Sequence, residues 1–419
     1  MLARSLDTLH RRDGGRLLAG LIRQFGSFDV AEDALQDAYA KALQHWPADG
    51  VPDNPAGWIA TVARRCVLDR LKHQRRLDPL AGTDAMPGAY DIEGIDDEAR
   101  IDEPQSPIPD ERLRLIFMCC HPAISQANQV ALTLRSLCGL TTREIARAFV
   151  EPEATTAQKL TRAKRKIARA GIAYDLPHPD ALSPRLAAVL AVIYLVFNEG
   201  YLASAGSGLL RPNLCSEAVR LGRLLHELMP DQPEISGLLA LMLFHESRRD
   251  TRIDVDGVLV VLEDQDRSAW NHLLTAEATS ILDAALMHRS PGPYQLQAAI
   301  AALHAHAPAA ADTDWLQICA LYGALLRHLP TPVVELNAAV ALAMSTSIDA
   351  GLNWIDSIEQ SGRLNEYHLL HAAKGDLLRR SNRFAEARVH YLKAVKLAKN
   401  SSERRYLERR IGQLGGDAL

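Results

Sequence analysis

The sequence predicts an all-α protein: two small helical domains, the second ending in a helix-turn-helix, followed by a large, helical, solenoid-like C-terminal domain. Alanine and leucine are abundant, aromatic residues make up only 5% of the chain, and no stretch alternates apolar and polar residues for long. Apolar residues instead recur at helical spacing, and clusters of Gly, Pro and Asp interrupt them. A chain of 419 residues is long enough for several domains.

The charge distribution excludes a globally basic nucleic-acid coat protein. The net charge is −4 and the isoelectric point is near 6.4. Any binding to nucleic acid must therefore come from local basic patches. Two such patches occur: six Arg or Lys and one Asp lie from Trp58 to Arg76, and six basic residues with no acidic one lie from Lys159 to Arg169.

The first predicted domain covers residues 1–77. A first helix is expected over about Leu9 to Phe25. A second helix is expected to begin with Asp29 as its N-cap and Glu32 three residues on, and to end before a loop from Pro47 to Asn54. Asn54 followed by Pro55 is a strong start signal for the third, basic helix.

The third helix is a candidate nucleic-acid surface, because its cations are available for phosphates. These cations are Arg64, Arg65, Arg70, Lys72, Arg75 and Arg76. Trp58 near the start of the helix could stack on a base or pack in the core, and the second interpretation is the commoner outcome for a tryptophan.

Residues 78–110 are predicted to form a flexible acidic, Pro-rich linker. From Asp78 to Pro109 there are nine acidic residues, one Arg and five prolines, without helical periodicity. Competition of this charge with DNA for the basic helices is a further hypothesis.

The second predicted domain, residues 111–176, ends in the helix-turn-helix between Leu140 and Arg169. Thr141 or Thr142 is a suitable N-cap for its first helix, and Pro152 prevents that helix from continuing. At 100° per residue, one side of the second helix is apolar and the other is polar and positive. The apolar side comprises Ala157, Leu160, Ala163, Ile167 and Ala168. The polar side comprises Thr155, Gln158, Lys159, Arg162, Lys166 and Arg169.

This polar side suits a recognition helix, whose first turns reach base edges while later Lys and Arg neutralise phosphates. A surface helix with an ordinary solvated, charged face has the same periodicity. The absence of acidic residues from Lys159 to Arg169 favours nucleic acid.

The C-terminal half, residues 183–419, is predicted to be one helix after another. Small residues at Gly375, Ala387 and Ala394 with aromatic residues between them are typical of a tetratricopeptide helix pair. Tetratricopeptide-like repeats are therefore expected near 333–398, and stacked helix pairs of this kind build concave binding surfaces.

Other classes of site have weak support. Six scattered cysteines predict reduced thiols in a cytoplasmic protein, and Cys119-Cys120-His121 lacks the further ligands of a metal site. No catalytic constellation, metal site or cofactor is predicted. The longest apolar run, Leu186 to Phe197, is 12 residues and is too short to span a bilayer, so no membrane association is expected.

The first 176 residues resemble a sigma factor of the extracytoplasmic-function class, within the sigma-70 family. The resemblance rests on AEDALQDAYAKAL, PAGWIATVARRCVLDRLKHQRR and GLTTREIARAFVEPEATTAQKLTRAKRKI, in that order. The C-terminal half, with YLVFNEGY, LLALMLF, EDQDR and YQLQAAIAALHA, resembles the subgroup that carries such an extension. The resemblance implies RNA polymerase core and promoter DNA as partners, and no enzymatic activity.

The resemblance also implies roles for individual residues. Asp33, Gln36 and Asp37 would bind the polymerase core. Asp53 and Asn54, with Trp58 and the Arg64 to Arg76 helix, would read the −10 element, and the polar side of the second helix of the helix-turn-helix would read the −35 element. The usual glycine of the turn is replaced around Val150-Glu151. Asp13-Gly14-Gly15-Arg16 has no role in this scheme.

The sequence thus predicts a promoter-specificity subunit whose C-terminal half receives a regulatory input from a protein or a small molecule. Two alternatives remain at this point. One is a helix-turn-helix regulator that acts without core polymerase, and the other is a helical scaffold whose C-terminal half is the working part.

Overall fold

The computed structural model describes residues 2–77, 110–149, 151–172, 174, 177, 179–202 and 212–414. Within these ranges, the side chains of residues 2–4, 71–77, 110–111, 147–148 and 179 lie outside the description. The predicted linker is therefore almost wholly outside the described residues. All regular elements in the described part of the chain are helices, which confirms the all-α prediction, and one isolated antiparallel bridge joins Ile253 and Leu259.

The chain divides into two compact units, the first comprising Met1–Arg147 with Glu151–Val192 and the second Ala148–Val150 with Ile193–Leu419. Both predicted small domains lie in the first unit, apart from residues 148–150 of the second domain. Its helices are α1 (Leu2–Phe25), α2 (Phe28–Asp49), α3 (Pro55–Leu77), α4 (Asp110–Cys119), α5 (Gln126–Ser136), α6 (Thr142–Ala148) and α7 (Glu153–Arg169), and the division falls within α8 (Pro179–Tyr201).

The first two helices are longer than the sequence predicts. Helix α1 begins at Leu2 rather than near Leu9, because Leu6 and Leu9 are both buried. Ser27, not Asp29, is the N-cap of α2, and its hydroxyl accepts a hydrogen bond from the Val30 amide at 3.4 Å. Helix α2 then continues through Pro47 to Asp49, so the predicted loop is shorter.

The start signals of α3 and α6 are confirmed. The Asn54 side chain accepts a hydrogen bond from the Gly57 amide at 2.9 Å, as an N-cap should. Thr141 caps α6, since its hydroxyl accepts from the Glu144 amide at 3.1 Å while the Glu144 carboxylate accepts from the Thr141 amide at 2.8 Å.

Helix α1 organises the first unit, because it packs against α2, α3, α4 and α5. Gly15 lies where α1 meets the end of α5, and a Cβ atom at Gly15 would be 3.3 Å from the Ser136 carbonyl oxygen. Gly139, with φ of +67°, lies beside His10 and Arg11 on the same side. The Asp13-Gly14-Gly15-Arg16 segment therefore has a packing role that the sequence alone does not indicate.

The second unit continues as an array of helices. They are α9 (Pro212–Leu228), α10 (Pro233–Ser247), α11 (His272–Leu286), α12 (Pro293–His306), α13 (Trp315–His328), α14 (Pro332–Ser345), α15 (Ile348–Gln360), α16 (His368–Arg380), α17 (Phe384–Leu397) and α18 (Ser401–Gln413). Helix α10 contacts α9, α11 and α12, which explains why LLALMLF is buried on all sides. From α12 to α18, each helix packs on the next.

The predicted tetratricopeptide-like pair corresponds to α16 and α17, which pack against each other. Ala387 and Ala394 are fully buried, and a Cβ atom at Gly375 would lie 3.1 Å from the ring of Tyr391. Small residues therefore allow the close approach of the two helices. The tetratricopeptide character of the extension stays a prediction.

Helix α8 is long and apolar enough, over Asp180–Tyr201, to span a membrane by length and composition. The uninterrupted apolar run within this helix, Leu186 to Phe197, is only 12 residues, which is why the sequence predicts no membrane-spanning segment there. Val189, Val192, Val196 and Phe197 are fully buried within the protein, and core helices of soluble proteins have the same composition.

Buried histidines in the second unit make its stability depend on pH. Burial first, and then the cations Arg248 and Arg267, lower the pKa of His304 to about 4. Burial likewise holds the pKa of His245 well below its ordinary value. Both imidazoles are therefore neutral in the folded protein at pH values where the unfolded chain, with a histidine pKa of about 6.5, is protonated.

We expect the free energy of unfolding to fall as the pH is lowered from about 6.5 to about 4, by up to about 1.4 kcal/mol per pH unit for His304. Urea unfolding measured at several pH values across this range should show that the free energy of unfolding of His304→Gln depends less steeply on pH than that of the parent protein. His288→Gln replaces an exposed histidine and is the control, which should keep the pH dependence of the parent protein. A pH dependence of His304→Gln equal to that of the parent and of this control would contradict the assignment.

Candidate nucleic-acid interface

Helix α7 presents a polar and mainly exposed side. Thr155, Gln158, Arg162, Lys166 and Arg169 of the predicted set are all exposed. Lys159 differs, because it is half-buried and its ammonium group is bound to the Glu151 carboxylate. Lys159 therefore anchors the turn through Glu151, and its contact with −35 DNA stays a prediction.

The buried side of α7 also differs in part from the prediction. Leu160, Ala163 and Ile167 are buried as expected, but Ala157 and Ala168 are exposed. Thr156 is completely buried, and its hydroxyl donates to Glu151 at 2.5 Å. Thr156, Leu160, Ala163 and Ile167 follow the i, i+4, i+7, i+11 spacing, which places Ala157 and Ala168 at the margins of the buried stripe.

Lys164 attaches α7 to the helices of the first predicted domain. Its ammonium group is bound to the carboxylate of Glu32 on α2 and lies 5.7 Å from the centroid of the Phe28 ring. Glu32 is only 8% exposed. It also accepts a hydrogen bond from Arg135 of α5 at 3.4 Å. One buried carboxylate thus joins α2, α5 and α7.

A second ion pair joins α1 to α6. The Arg11 guanidinium donates to Glu144 at 2.6 Å and to Asp7 at 3.0 Å. Partial burial opposes ionisation of Glu144, but the hydrogen bonds from Thr141 and Arg11 outweigh it and lower the pKa of this carboxyl. Helical periodicity could not reveal Glu32 or Glu144 as partners of distant cations, because it describes only contacts within one helix.

The predicted polymerase-binding residues and part of the predicted −10 surface meet on α2 and α3. Arg70 donates to Asp33 at 3.3 Å and to Asp37 at 2.6 Å. Gln36 is exposed, and its side chain lies 3.5 Å from Glu32. Arg70 is therefore paired with two carboxylates, and its contact with DNA stays a prediction.

The other predicted −10 residues have varied surroundings. Asp53, Asn54 and Arg65 are exposed, although the Asn54 side chain is occupied as an N-cap. Trp58 is half-buried and packs edge-on against Trp46, with ring centroids 5.3 Å apart, so most of it belongs to the core. Arg64 is half-buried. The side chains of Lys72, Arg75 and Arg76 lie outside the described residues.

Parts of the chain are similar to known protein families and to individual proteins. Residues 9–77 match the sigma-70 region 2 family, and residues 185–286 match a family of unknown function, DUF6596. Over 156 residues the chain is 28% identical to the probable ECF RNA polymerase sigma factor SigI of Mycobacterium tuberculosis, in strains CDC 1551 / Oshkosh and ATCC 25618 / H37Rv. That match covers 36% of this chain and 50% of SigI. No solved structure matches.

Residues 9–77, at the N-terminal end of the chain, are therefore similar to sigma-70 region 2, and the match to SigI supports a sigma-factor-like role. The chain belongs to the same family as an uncharacterized protein of Rhizobium meliloti (strain 1021). The two are 42% identical over 400 residues, which cover 96% of this chain and 93% of the Rhizobium protein.

Proposed function

We propose that the protein is an alternative sigma factor of the extracytoplasmic-function class. It binds the RNA polymerase core in the cytoplasm and directs the enzyme to promoters through −10 and −35 DNA, and it performs no chemistry itself. The observation that carries the proposal is the sigma-70 region 2 domain, followed in the same chain by the helix-turn-helix α6–α7 with its exposed cationic side.

Helix α7 has the properties of a major-groove reader. Thr155 and Gln158 near its start can hydrogen-bond base edges, while Arg162, Lys166 and Arg169 along the same exposed side can bind phosphates or bases. Thr156 and Lys159 hold the turn through Glu151, so the exposed side is fixed relative to α6. A rigid support of this kind favours specific recognition of duplex −35 DNA.

The surface of α2 and α3 supports the assignment of core binding and −10 recognition to this domain. Asp33 and Asp37 are accessible carboxylates on α2, with 62% and 45% of their side chains exposed. The polymerase core would compete with Arg70 for them. Arg65 and the segment around Asp53 are exposed on the neighbouring element, where separated strands could be held.

The C-terminal unit is proposed as a built-in regulatory module. It contains a cavity of about 540 Å³, within the size range of small-molecule sites. Leu259, Val340, Met344 and Leu377 contribute apolar wall, and Arg267 and Glu403 contribute charged groups. A largely apolar small molecule or an inserted side chain of a protein partner could occupy it.

Transcription in vitro with purified polymerase core tests the proposal. Full-length protein should bind the core and initiate at specific promoters. Binding to palindromic DNA as a dimer without the core would instead indicate a conventional regulator. A variant ending at Leu202, which retains all of α8, should change promoter use, and unaltered activity would exclude a regulatory role for the C-terminal unit.

Arg162→Ala should weaken promoter-dependent initiation by about 5-fold or more, because a base or phosphate contact of this kind contributes about 1–3 kcal/mol. Folding should be unaffected, since the side chain is exposed. Initiation is measured on promoters with intact and altered −35 sequences. Arg388→Ala removes an exposed charge in the other unit and should have no effect, and equal initiation by the two variants would count against the −35 assignment.

A further inference from the structure

Three helices of the C-terminal unit bring two histidines and a glutamate together. Glu359 lies near the end of α15, His371 on α16 and His390 on α17. The two Nδ1 atoms of His371 and His390 are 3.3 Å apart, and the Glu359 Oε1 is 3.9 Å from the Nδ1 of His371. One ligand atom from each residue lies within 4.8 Å of the others.

From this geometry we propose that Glu359, His371 and His390 form a binding site for a divalent transition-metal cation of the zinc class. This inference goes beyond the proposed role in transcription and does not depend on it. The sequence predicts no metal site, because the three residues are far apart in the chain and do not form a recognisable motif.

The distances agree with tetrahedral coordination. Zinc–nitrogen bonds of about 2.0–2.1 Å place two ligand nitrogens about 3.3–3.4 Å apart at a tetrahedral centre. The separation of 3.3 Å between the two Nδ1 atoms has this value. The Glu359 Oε1 lies 3.9 Å from the His371 Nδ1, about 0.5 Å beyond the length of a second tetrahedral edge. The ligand atoms of Glu359 and His390 lie within 4.8 Å of each other, so the carboxylate must move toward both histidines when an ion binds.

The donor set is also suited to such a cation. Two imidazoles and one carboxylate are ligands that zinc and cobalt accept, with a fourth position left for water. Calcium and magnesium prefer oxygen ligands, so two nitrogens discriminate against them.

Neighbouring charges leave one oxygen of Glu359 accessible to a cation. Lys374 binds the other oxygen, Oε2, at 2.5 Å and also binds Asp356 at 2.6 Å, so two carboxylates balance this ammonium group. Lys393 lies 3.8 Å from Oε1, but half of its side chain is exposed, at 51%. It can therefore turn into solvent when a metal ion binds.

A bound ion would join α15, α16 and α17 in addition to their side-chain packing and the ion pairs of Lys374 and Lys393. The neighbouring residues Ala372 and Tyr391 line the cavity described above. Metal binding would therefore fix one wall of that cavity and stabilise the unit by mass action.

Zinc titration of the full-length, chelator-treated and fully reduced protein tests the site. ZnCl₂ is added in competition with a chromophoric chelator, and one equivalent is expected to bind. His390→Ala should weaken binding by at least about 100-fold, because even supporting residues outside the ligand set contribute 10–100-fold. His328→Ala removes an exposed histidine and should bind as the parent protein does.

Glu359→Gln provides a second variant that keeps the side-chain volume, in case His390→Ala does not fold. The Co²⁺-loaded parent protein should show the visible absorption of a tetrahedral site, and both variants should lose it. Absence of stoichiometric Zn²⁺ binding by the parent overturns the proposal. Undiminished binding by Glu359→Gln and His390→Ala does so as well, since it would leave the two imidazoles as a simple hydrogen-bonded pair.

Discussion

Glu32→Gln is expected to lower the free energy of unfolding of the first unit by about 2–3 kcal/mol. The substitution leaves Lys164 and Arg135 without their carboxylate in a site where Glu32 has only 11% of its side chain exposed. Loss of one partner from a fully buried ion pair costs about 3–5 kcal/mol. The expected value is smaller here because the two cations remain about one-quarter exposed, at 24% and 22%.

Hydrogen exchange of the full-length protein measures this effect locally, since the amides of α5 and α7 should lose protection. Asp33→Asn is a matched control on the same helix, because Asp33 forms an exposed pair with Arg70 and should cost less than about 1 kcal/mol. Equal effects of the two substitutions would show that Glu32 does not hold α7 in place.

The same variant should affect promoter use if the proposed function is correct. The −10 and −35 elements are about 25 base pairs apart, or roughly 85 Å of duplex. A compact unit of about 150 residues is roughly 40 Å across. The helix-turn-helix must therefore separate from the region 2 domain on the polymerase, and weakening of the Glu32 cluster should make that separation easier.

Gly351→Val should destabilise the C-terminal unit by about 3 kcal/mol. A Cβ atom at Gly351 would lie 2.6 Å from the Ala339 carbonyl oxygen and 3.0 Å from the Ala343 Cα. Both contacts are with backbone of α14, so the two helices must move apart. Overpacking of a core typically costs about 1–3 kcal/mol, and a β-branched side chain at a helix crossing is at the upper end.

Thermal unfolding followed by near-ultraviolet circular dichroism is a suitable measurement, because Trp354 packs against the same core cluster. Gly323→Ala is the control, since nothing lies within 4 Å of a Cβ atom there. It should stabilise α13 slightly, by about 0.5–1 kcal/mol. A Gly351→Val protein as stable as the parent would contradict the close helix crossing.

The helical architecture was predictable because local signals determine it. Asn54 with Pro55 marks the start of α3, and Thr141 with Glu144 marks the start of α6. The predicted helix boundaries were wrong where tertiary packing determines where a helix begins or ends. Helix α1 begins at Leu2, ahead of the buried residues Leu6 and Leu9, and α2 continues through Pro47.

The candidate DNA surface was predictable only in part, for a physical reason. Helical periodicity gives the direction in which a side chain points, and it correctly places Arg162 and Lys166 on the exposed side of α7. Helical periodicity does not identify the residue with which a charged side chain forms an ion pair. Lys159, Lys164 and Arg70 each bind a carboxylate, two of them more than 30 positions away in the chain.

The pairing of Arg70 with Asp33 and Asp37 has a consequence for cooperativity. Under the proposed function, a polymerase that captures the two carboxylates would release the guanidinium, which would then be available to DNA phosphate. By thermodynamic reciprocity, DNA that captures Arg70 strengthens polymerase binding by the same factor. Because exposed ion pairs contribute at most about 1 kcal/mol, this coupling is limited to about fivefold, and high salt should remove it from both binding equilibria together.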